Sequence, residues 1–388
     1  MKTNTSINRV IETTYEGTPA KCINAEQQLR RSVLACMLWE SSFYEDGVDI
    51  AKRIADCVKN VDPQKVSELA IETRTKMKLR HAPLWIVREM ARLPKHKAFV
   101  SYTLQNVIQR ADELSEFVSL YWSEKRQPLS AQVKKGLAEA FRKFDGYALA
   151  KYNSRDANVK LRDVLFLCHA NPKNKEQENL WKQLIDNKLP IPNTWENRLS
   201  SGEDKKTVWE SMLKENELGA LALLRNLRNM AQVGVDENIV FYALSRMKVD
   251  SVLPFRFISA AKAVPQWESE IEKVMLKCLD GKEKLGGKTV ILIDVSYSMH
   301  SPISEKSDLM RYDVANGLAI LARELCDKVA IYTFSDNIVR IPDRHGFALR
   351  DAIVSSQPHV GTYLGHAIDF ISKEYNYDRI IVITDEQS

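Results

Sequence analysis

The stretch TVILIDVSYSMHSP, Thr289 to Pro302, sets four apolar residues, Val290 to Ile293, directly before Asp294, with Ser296 and Ser298 two and four positions further on. A run apolar on both alternations is the mark of a strand covered on both faces, as in a parallel sheet. Ligands of open parallel sheets bind at the carboxyl ends of the strands, which is where Asp294 falls. Two further stretches follow the same logic. DRIIVITD is a second such strand and ends at Asp385, and VGTYLG places Thr362 in a turn. The set Asp294, Ser296, Ser298, Thr362 and Asp385 is five hard oxygen ligands with no His or Cys, which selects Mg²⁺ or Mn²⁺ over zinc. The plainer alternative is that Asp294 and Ser296 only cap the turn after their strand.

Between these stretches the chain alternates. A helix with Val314, Leu318, Leu321, Ala322 and Leu325 on one face leads to a strand over Val329 to Phe334. A later helix carries Leu364, Ala367, Ile368 and Ile371. Strand-helix-strand order predicts an α/β, Rossmann-like parallel sheet over 289–388. Upstream, DGKEKLGGK at 280–288 has no apolar periodicity and reads as a linker. Before it, 1–279 is helical nearly throughout. LRRSVLACMLW puts Leu29, Val33, Cys36 and Met37 on one face, and IEKVMLKCL does the same with Ile271, Val274, Met275, Cys278 and Leu279. Asp62 followed by Pro63 is an N-cap with proline at the first helical position. Proline breaks cut the region into short consecutive helices, the pattern of an α-solenoid, although no sharp repeat period emerges.

With 44% hydrophobic and 28% charged residues among 388, the composition is that of an ordinary soluble chain with room for two domains. Its longest apolar runs are far too short to span a bilayer, and no membrane role is expected. The six cysteines (Cys22, Cys36, Cys57, Cys168, Cys278, Cys326) form no CxxC pair and read as reduced thiols of a cytoplasmic protein. A net charge of +5 says little, but its distribution says more. Between Lys125 and Lys175 twelve Lys/Arg face four acids. That excess is either a solvated helical face or an anion-binding surface. Lys151 and Arg155, four apart, would lie on one helix face. Arg225 and Arg228 fall three apart on a helix whose other side is Leu221, Leu224 and Leu227, and either form a contact surface or pair with nearby acids. The tryptophans and tyrosines mostly fall at core spacing and are not read as base-stacking platforms.

The motifs DVSYSM, GTYLG and ITDEQ resemble the metal-ion-dependent adhesion site of a von Willebrand factor A domain. TYEGTPA, LRRSVLACMLWESSFYEDG, KLRDVLFLCHANPKN, PNTWE, LALLRNLRNM and LPFRFISA resemble the TROVE module of the Ro ribonucleoprotein family, in particular its bacterial and phage members. The resemblance implies a TROVE domain of HEAT-like helical repeats (1–279) closed into a ring, a linker (280–288) and an A domain (289–388). It also implies a non-enzymatic, monomeric RNA-binding protein of RNA quality control. Its partners would be small structured Y-like RNA on an outer basic surface, single-stranded ends of misfolded RNA in the central hole, and an exoribonuclease such as polynucleotide phosphorylase. His169 matches the family's RNA-contacting histidine and Lys151 and Arg155 its basic pair, with one extra residue between that pair and the next helix. A complete A domain continues beyond the Thr-Asp strand, whereas this sequence stops three residues after Asp385. The domain is therefore expected to be incomplete and its metal binding weak.

Two other readings stay open at this point. One is an adaptor whose metal recruits a partner carboxylate. The other is a Mg²⁺-dependent phosphotransferase with Asp294 as nucleophile, although Ser296 stands where a second carboxylate would handle the leaving-group proton. A GxSxG elbow, a P-loop and a His-Glu metal motif are all lacking in the sequence.

Overall fold

The computed structural model describes residues 23–34, 47–153, 157–200, 202–250, 252–304 and 307–385, which fall into two compact units, 23–197 and 198–385. The first unit is helical: α1 (Ala25–Leu34), α2 (Gly47–Asn60), α3 (Pro63–Thr75), α4 (His81–Arg92), α5 (Lys97–Val107), α6 (Asp112–Tyr121), α7 (Ala131–Phe141), α8 (Gly146–Tyr152), α9 (Leu161–Cys168) and α10 (Lys175–Ile185). Helices α1, α3, α5, α7 and α9 pack in succession as one layer, and α2, α4 and α6 as a second. Each helix is apolar along one stripe and buries it only when the next helix covers it, which is the logic of a solenoid. Asp62 starts α3 as expected: its carboxylate accepts from the backbone N–H of Gln64 at 2.9 Å and of Lys65 at 3.3 Å, with Pro63 first in the helix. Leu29 and Val33 are buried, while their expected face-mates Cys36 and Met37 lie outside the described residues.

Helix α11 (Trp195–Leu199) spans the division. The second unit continues with α12 (Lys205–Lys214), α13 (Ala220–Gln232), α14 (Glu237–Arg246), α15 (Pro254–Ala263) and α16 (Glu268–Leu276). Then come β1 (Leu285–Asp294), α17 (Arg311–Leu325), β2 (Cys326–Phe334), β3 (Ile338–Arg340), α18 (Gly346–Val354), α19 (Leu364–Glu374) and β4 (Arg379–Ile383). The sheet order is β3-β2-β1-β4, with β1 parallel to both β2 and β4 and β3 antiparallel to β2. Residues Thr289 to Asp294 are buried without alternation, as the apolar run predicts for a central strand. The three-residue β3, too short to leave a pattern, is absent from the sequence reading.

Two expectations are corrected. The 280–288 segment is not wholly a linker, because β1 begins at Leu285 and that residue pairs with Cys326. Nor does the helical region end as one body at 279. Helices α12, α14 and α16 stack in one row and α13, α15 and α17 in another, so the helix that follows β1 also covers α15. This double packing changes which face of α17 is buried. Asp313, Ala315, Asn316, Gly317, Ala319 and Ile320 are inside, whereas Leu318, assigned to the core from spacing, is 46% exposed. A helix squeezed between a sheet and another helix buries its small residues. A Cβ added at Gly317 would meet the Phe255 nitrogen and Pro254 Cβ of α15 at 3.3 Å.

At the start of α17 the buried Asp313 carboxylate accepts from the Met310 N–H at 2.9 Å and from the Lys262 ammonium of α15 at 2.9 Å. Asp313→Ala removes an N-terminal cap and the carboxylate partner of two part-buried donors, the Met310 N–H and the Lys262 ammonium. The cost should be about 1–3 kcal/mol of stability, read as a lower urea midpoint with unchanged slope. A midpoint equal to that of the unsubstituted chain would show that this carboxylate does not hold the joint.

Candidate functional sites

At the carboxyl end of the sheet, Asp294 closes β1 and is fully buried with Ser296, while Ser298 is nearly so. The chain turns there because the Asp294 Oδ1 accepts the Ser296 N–H at 2.8 Å, and this brings the Ser296 and Ser298 hydroxyls to 3.2 Å. Thr384, which the sequence reading did not single out, donates its hydroxyl to Asp294 Oδ2 at 2.7 Å from just beyond β4. Burial pushes the Asp294 carboxyl above its ordinary range. Bonds from Ser296 and Thr384 work against that rise, and the neighbouring Asp385 charge adds to it. Asp385 bonds through Oδ2 to the Arg311 guanidinium at 2.6 Å, while its Oδ1 is buried and accepts no hydrogen bond.

The Gly-Thr turn lies beside this loop. The Tyr297 N–H donates to the Val360 carbonyl at 3.2 Å, the Ser335 hydroxyl to the Gly361 carbonyl at 3.0 Å, and the Gly361 N–H to Asp336 Oδ1 at 2.9 Å. A Cβ on Gly361 would fall 2.3 Å from that Asp336 oxygen, so glycine is required by close approach. The turn therefore carries Thr362 to the neighbourhood of the serine loop, but no bond joins its hydroxyl to the other four residues among the described contacts.

The residues present suit a small hard cation. Asp294, Ser296, Ser298 and Asp385 would hold it through oxygens, and the unsatisfied, buried Asp385 Oδ1 is the atom in greatest need of a partner. Three or more His, Cys, Asp or Glu gathered as a metal-holding group do not occur among the described residues, so any such site depends on the hydroxyls. What opposes it is Arg311, already paired with one Asp385 oxygen.

The basic region lies in the first unit. Lys151 sits in the last turn of α8, exposed, with its ammonium 5.8 Å from the ring centres of both Tyr147 and Tyr152. His169 ends α9 in the left-handed conformation (φ 51°) and is exposed. Arg155 lies outside the described residues. Helix α8 stops at Tyr152, and Asn153 has left helical geometry (ψ 72°). The run NSRDAN is rich in side chains that compete with the helix for backbone bonds. Burial pushes the Cys168 thiol up to about 11, so the Cys168-His169 neighbours are no activated nucleophile.

In the second unit Arg225 and Arg228 project from α13 opposite the buried Leu223, Leu224, Leu227 and Met230; Leu221, expected inside, is 47% exposed. The pattern hides a further cation. Arg256 on α15 has its pKa lowered by burial and by the nearby Arg225 charge, and neither arginine forms an ion pair among the described residues.

A two-layer helical stack joined to a parallel sheet with an oxygen-rich strand end defines the class of protein. The matches to known proteins agree with it. Residues 186–307 match the TROVE domain family. The crystal structure of the Deinococcus radiodurans RO (RSR) protein shares the fold, with a TM-score of 0.64 over 93% of this chain and 86% of that one at 16% identity. Telomerase protein component 1 of Mus musculus is 31% identical over 90 residues, and that of Rattus norvegicus 32% over 90 residues. Each match covers 22% of this chain and 3% of the relative, so the chain spans only a small part of their length. Residues 186–307 are thus similar to a TROVE domain, and the likeness to the Deinococcus structure, at 16% identity, is one of fold.

Arg311 gives the strand-end site a test. We expect Mg²⁺ to bind in the millimolar range, about 4 kcal/mol, because it must displace the guanidinium. Arg311→Gln is expected to destabilise the metal-free chain and to make its Tm rise more on adding Mg²⁺ than that of the unsubstituted chain. Asp294→Ala should remove that rise. Equal Mg²⁺ shifts with and without Arg311 would exclude competition at Asp385.

Proposed function

We propose that this chain is an RNA-binding protein of ribonucleoprotein particles, without chemistry of its own. One observation carries the reading. Of the cations between 125 and 175, Lys125, Arg126, Lys134, Lys135, Lys151, Lys160 and Lys173 form no ion pair among the described residues. Just upstream, by contrast, arginines are matched: Arg74 and Arg80 meet Asp112, Glu113 and Glu116, and Arg88 and Arg92 meet Glu89 and Glu124. Glu124, bonded first by Arg92 and then by Arg88, is held down at about 2. Cations left unpaired while their neighbours are paired suit a polyanion.

Within that reading, the basic stretch with Lys151 and His169 takes a small structured, Y-like RNA, and Arg225, Arg228 and Arg256 take the single-stranded ends of misfolded RNAs. The Lys151 ammonium, held against two tyrosine faces, remains free to meet a phosphate. The free thiols of Cys57, Cys168, Cys278 and Cys326 suit a cytoplasmic location. No described helix is long and apolar enough to cross a membrane. The sheet unit is assigned the role of a von Willebrand factor A domain, and an exoribonuclease is the partner class that would act on the RNA this chain holds.

A second reading is favoured by the buried, unsatisfied Asp385 Oδ1: a metal-dependent adaptor that recruits a protein carboxylate. Filter binding with a structured hairpin RNA across salt concentrations decides between them. In the RNA reading, the unsubstituted chain shows a steep fall of affinity with salt, and Lys151→Ala with Lys160→Ala reduces the slope of log affinity against log salt by about 1.4–1.8, each phosphate contributing about 0.7–0.9. No binding at low salt would leave the adaptor, and an unchanged slope would remove these two lysines from the interface.

A further inference from the structure

Beside the basic stretch lies a cavity of about 530 Å³ that the reading above does not use. It opens where α6 packs on α9, and Ser119, Trp122, Arg126, Asn158, Asp163 and Phe166 line it. Spacing places most of the tryptophans in the core. Trp85, Trp181, Trp209 and Trp267 are indeed buried, but Trp122 follows the end of α6 and is only half-buried. Its indole N–H donates to the Gln127 carbonyl at 2.7 Å, which fixes the ring and satisfies its one polar atom. What the ring then has left to offer is its faces. The Arg126 guanidinium lies over it, 4.8 Å from the ring centre, and carries no carboxylate partner among the described residues. Phe166 is 57% exposed in the middle of α9, where a large apolar ring in water is unfavourable.

We propose that this cavity receives an unpaired nucleobase of the bound RNA, stacked against the Trp122–Arg126 pair and Phe166, with the exposed Asn158 amide and the Ser119 hydroxyl available to the base edge. The inference rests on the RNA-binding reading and deepens it. Aromatic and guanidinium planes with a few polar groups are the means by which splayed bases are held, and the volume is in the range of ordinary ligand pockets of about 300–1,000 Å³. The occupant follows from charge. Arg126 is the one cation of the lining and Lys125 and Lys160 are close to it in sequence, whereas the one acid, Asp163, is engaged by the Lys160 N–H at 3.0 Å and by Arg162 at 3.9 Å; that balance suits the phosphates on either side of such a base. Phe166 also lines a second cavity of about 390 Å³ together with His169 and Lys182. A strand with one base on Trp122 therefore passes directly beside His169.

The test uses the full chain and two RNAs: a hairpin with an unpaired loop in which one adenine is replaced by 2-aminopurine, and a duplex of the same length without a loop. Binding of the hairpin should quench 2-aminopurine fluorescence. Stacking is worth about 1–3 kcal/mol per base, so Trp122→Ala and Phe166→Ala should each weaken hairpin binding by about 5- to 150-fold. The quench should disappear, duplex affinity and the salt slope should stay unchanged, and Trp122→Phe should restore most of the binding. Exposed Phe166 can be replaced without opening the core, so a folding defect in the Trp122 variant alone would not blur the result. Equal losses on hairpin and duplex, or no loss on either, would overturn the base pocket while leaving RNA binding in place. Displacement of the hairpin from the pocket by micromolar AMP would make it a mononucleotide site instead. Failure of the unsubstituted chain to bind either RNA would overturn the RNA reading itself.

Discussion

In the second unit one buried carboxylate ties a helix of the stack to the helix that follows β1. Asp313 satisfies the first turn of α17 and holds the Lys262 ammonium of α15, so a single side chain joins the helical stack to the sheet. Neither connection alone would fix the helix. The cap specifies where α17 begins, and the ion pair specifies which face it turns to α15. The small residues Ala315, Gly317 and Ala319 then become necessary, because α17 lies against β1 on one side and α15 on the other. An isolated buried charge would be costly. Here it is matched by one ammonium and one N–H, the condition under which such a group specifies an arrangement.

This joint also explains where sequence reading succeeds and fails. The clustering of oxygens at the strand end is legible because its residues are local. Asp294, Ser296 and Ser298 fall within five residues, and a fully apolar run can only be a central strand. Asp385 was found by the same rule on β4. The buried face of α17 was not legible, since periodicity assumes one apolar stripe against one core, and a helix covered on two sides exposes Leu318 while burying glycine and alanine. Thr384 escapes the pattern because a hydroxyl inside a strand end looks like mere β propensity.

The cations of the first unit follow a separate rule. Around α4 and α6, arginines are partly buried and each meets carboxylates, as desolvated charges must. From Lys125 on, the positive residues are mostly exposed lysines that need no partner to be stable. The fold therefore does not require them to be cationic, and neutral polar residues would serve equally well in packing. Lys143 is the exception that marks the boundary. Its ammonium serves the carbonyls of Gln105 and Ile108 at the end of α5, and burial lowers its pKa. A structural lysine is thus recognisable in this chain by the backbone it satisfies, and the unpaired ones are those that packing does not engage.

The two ends of the second unit's chemistry meet on α17. Arg311 holds Asp385 at the carboxyl ends of the strands, and two residues later Asp313 holds α15. Both contacts belong to the first turn of one helix, where orphan backbone N–H groups already favour negative charge. Withdrawal of Arg311 from Asp385 would act on the same turn whose geometry Asp313 fixes. The strand-end carboxylates and the helical stack are therefore connected through a few adjacent residues, and no long path through the sheet is needed to link them.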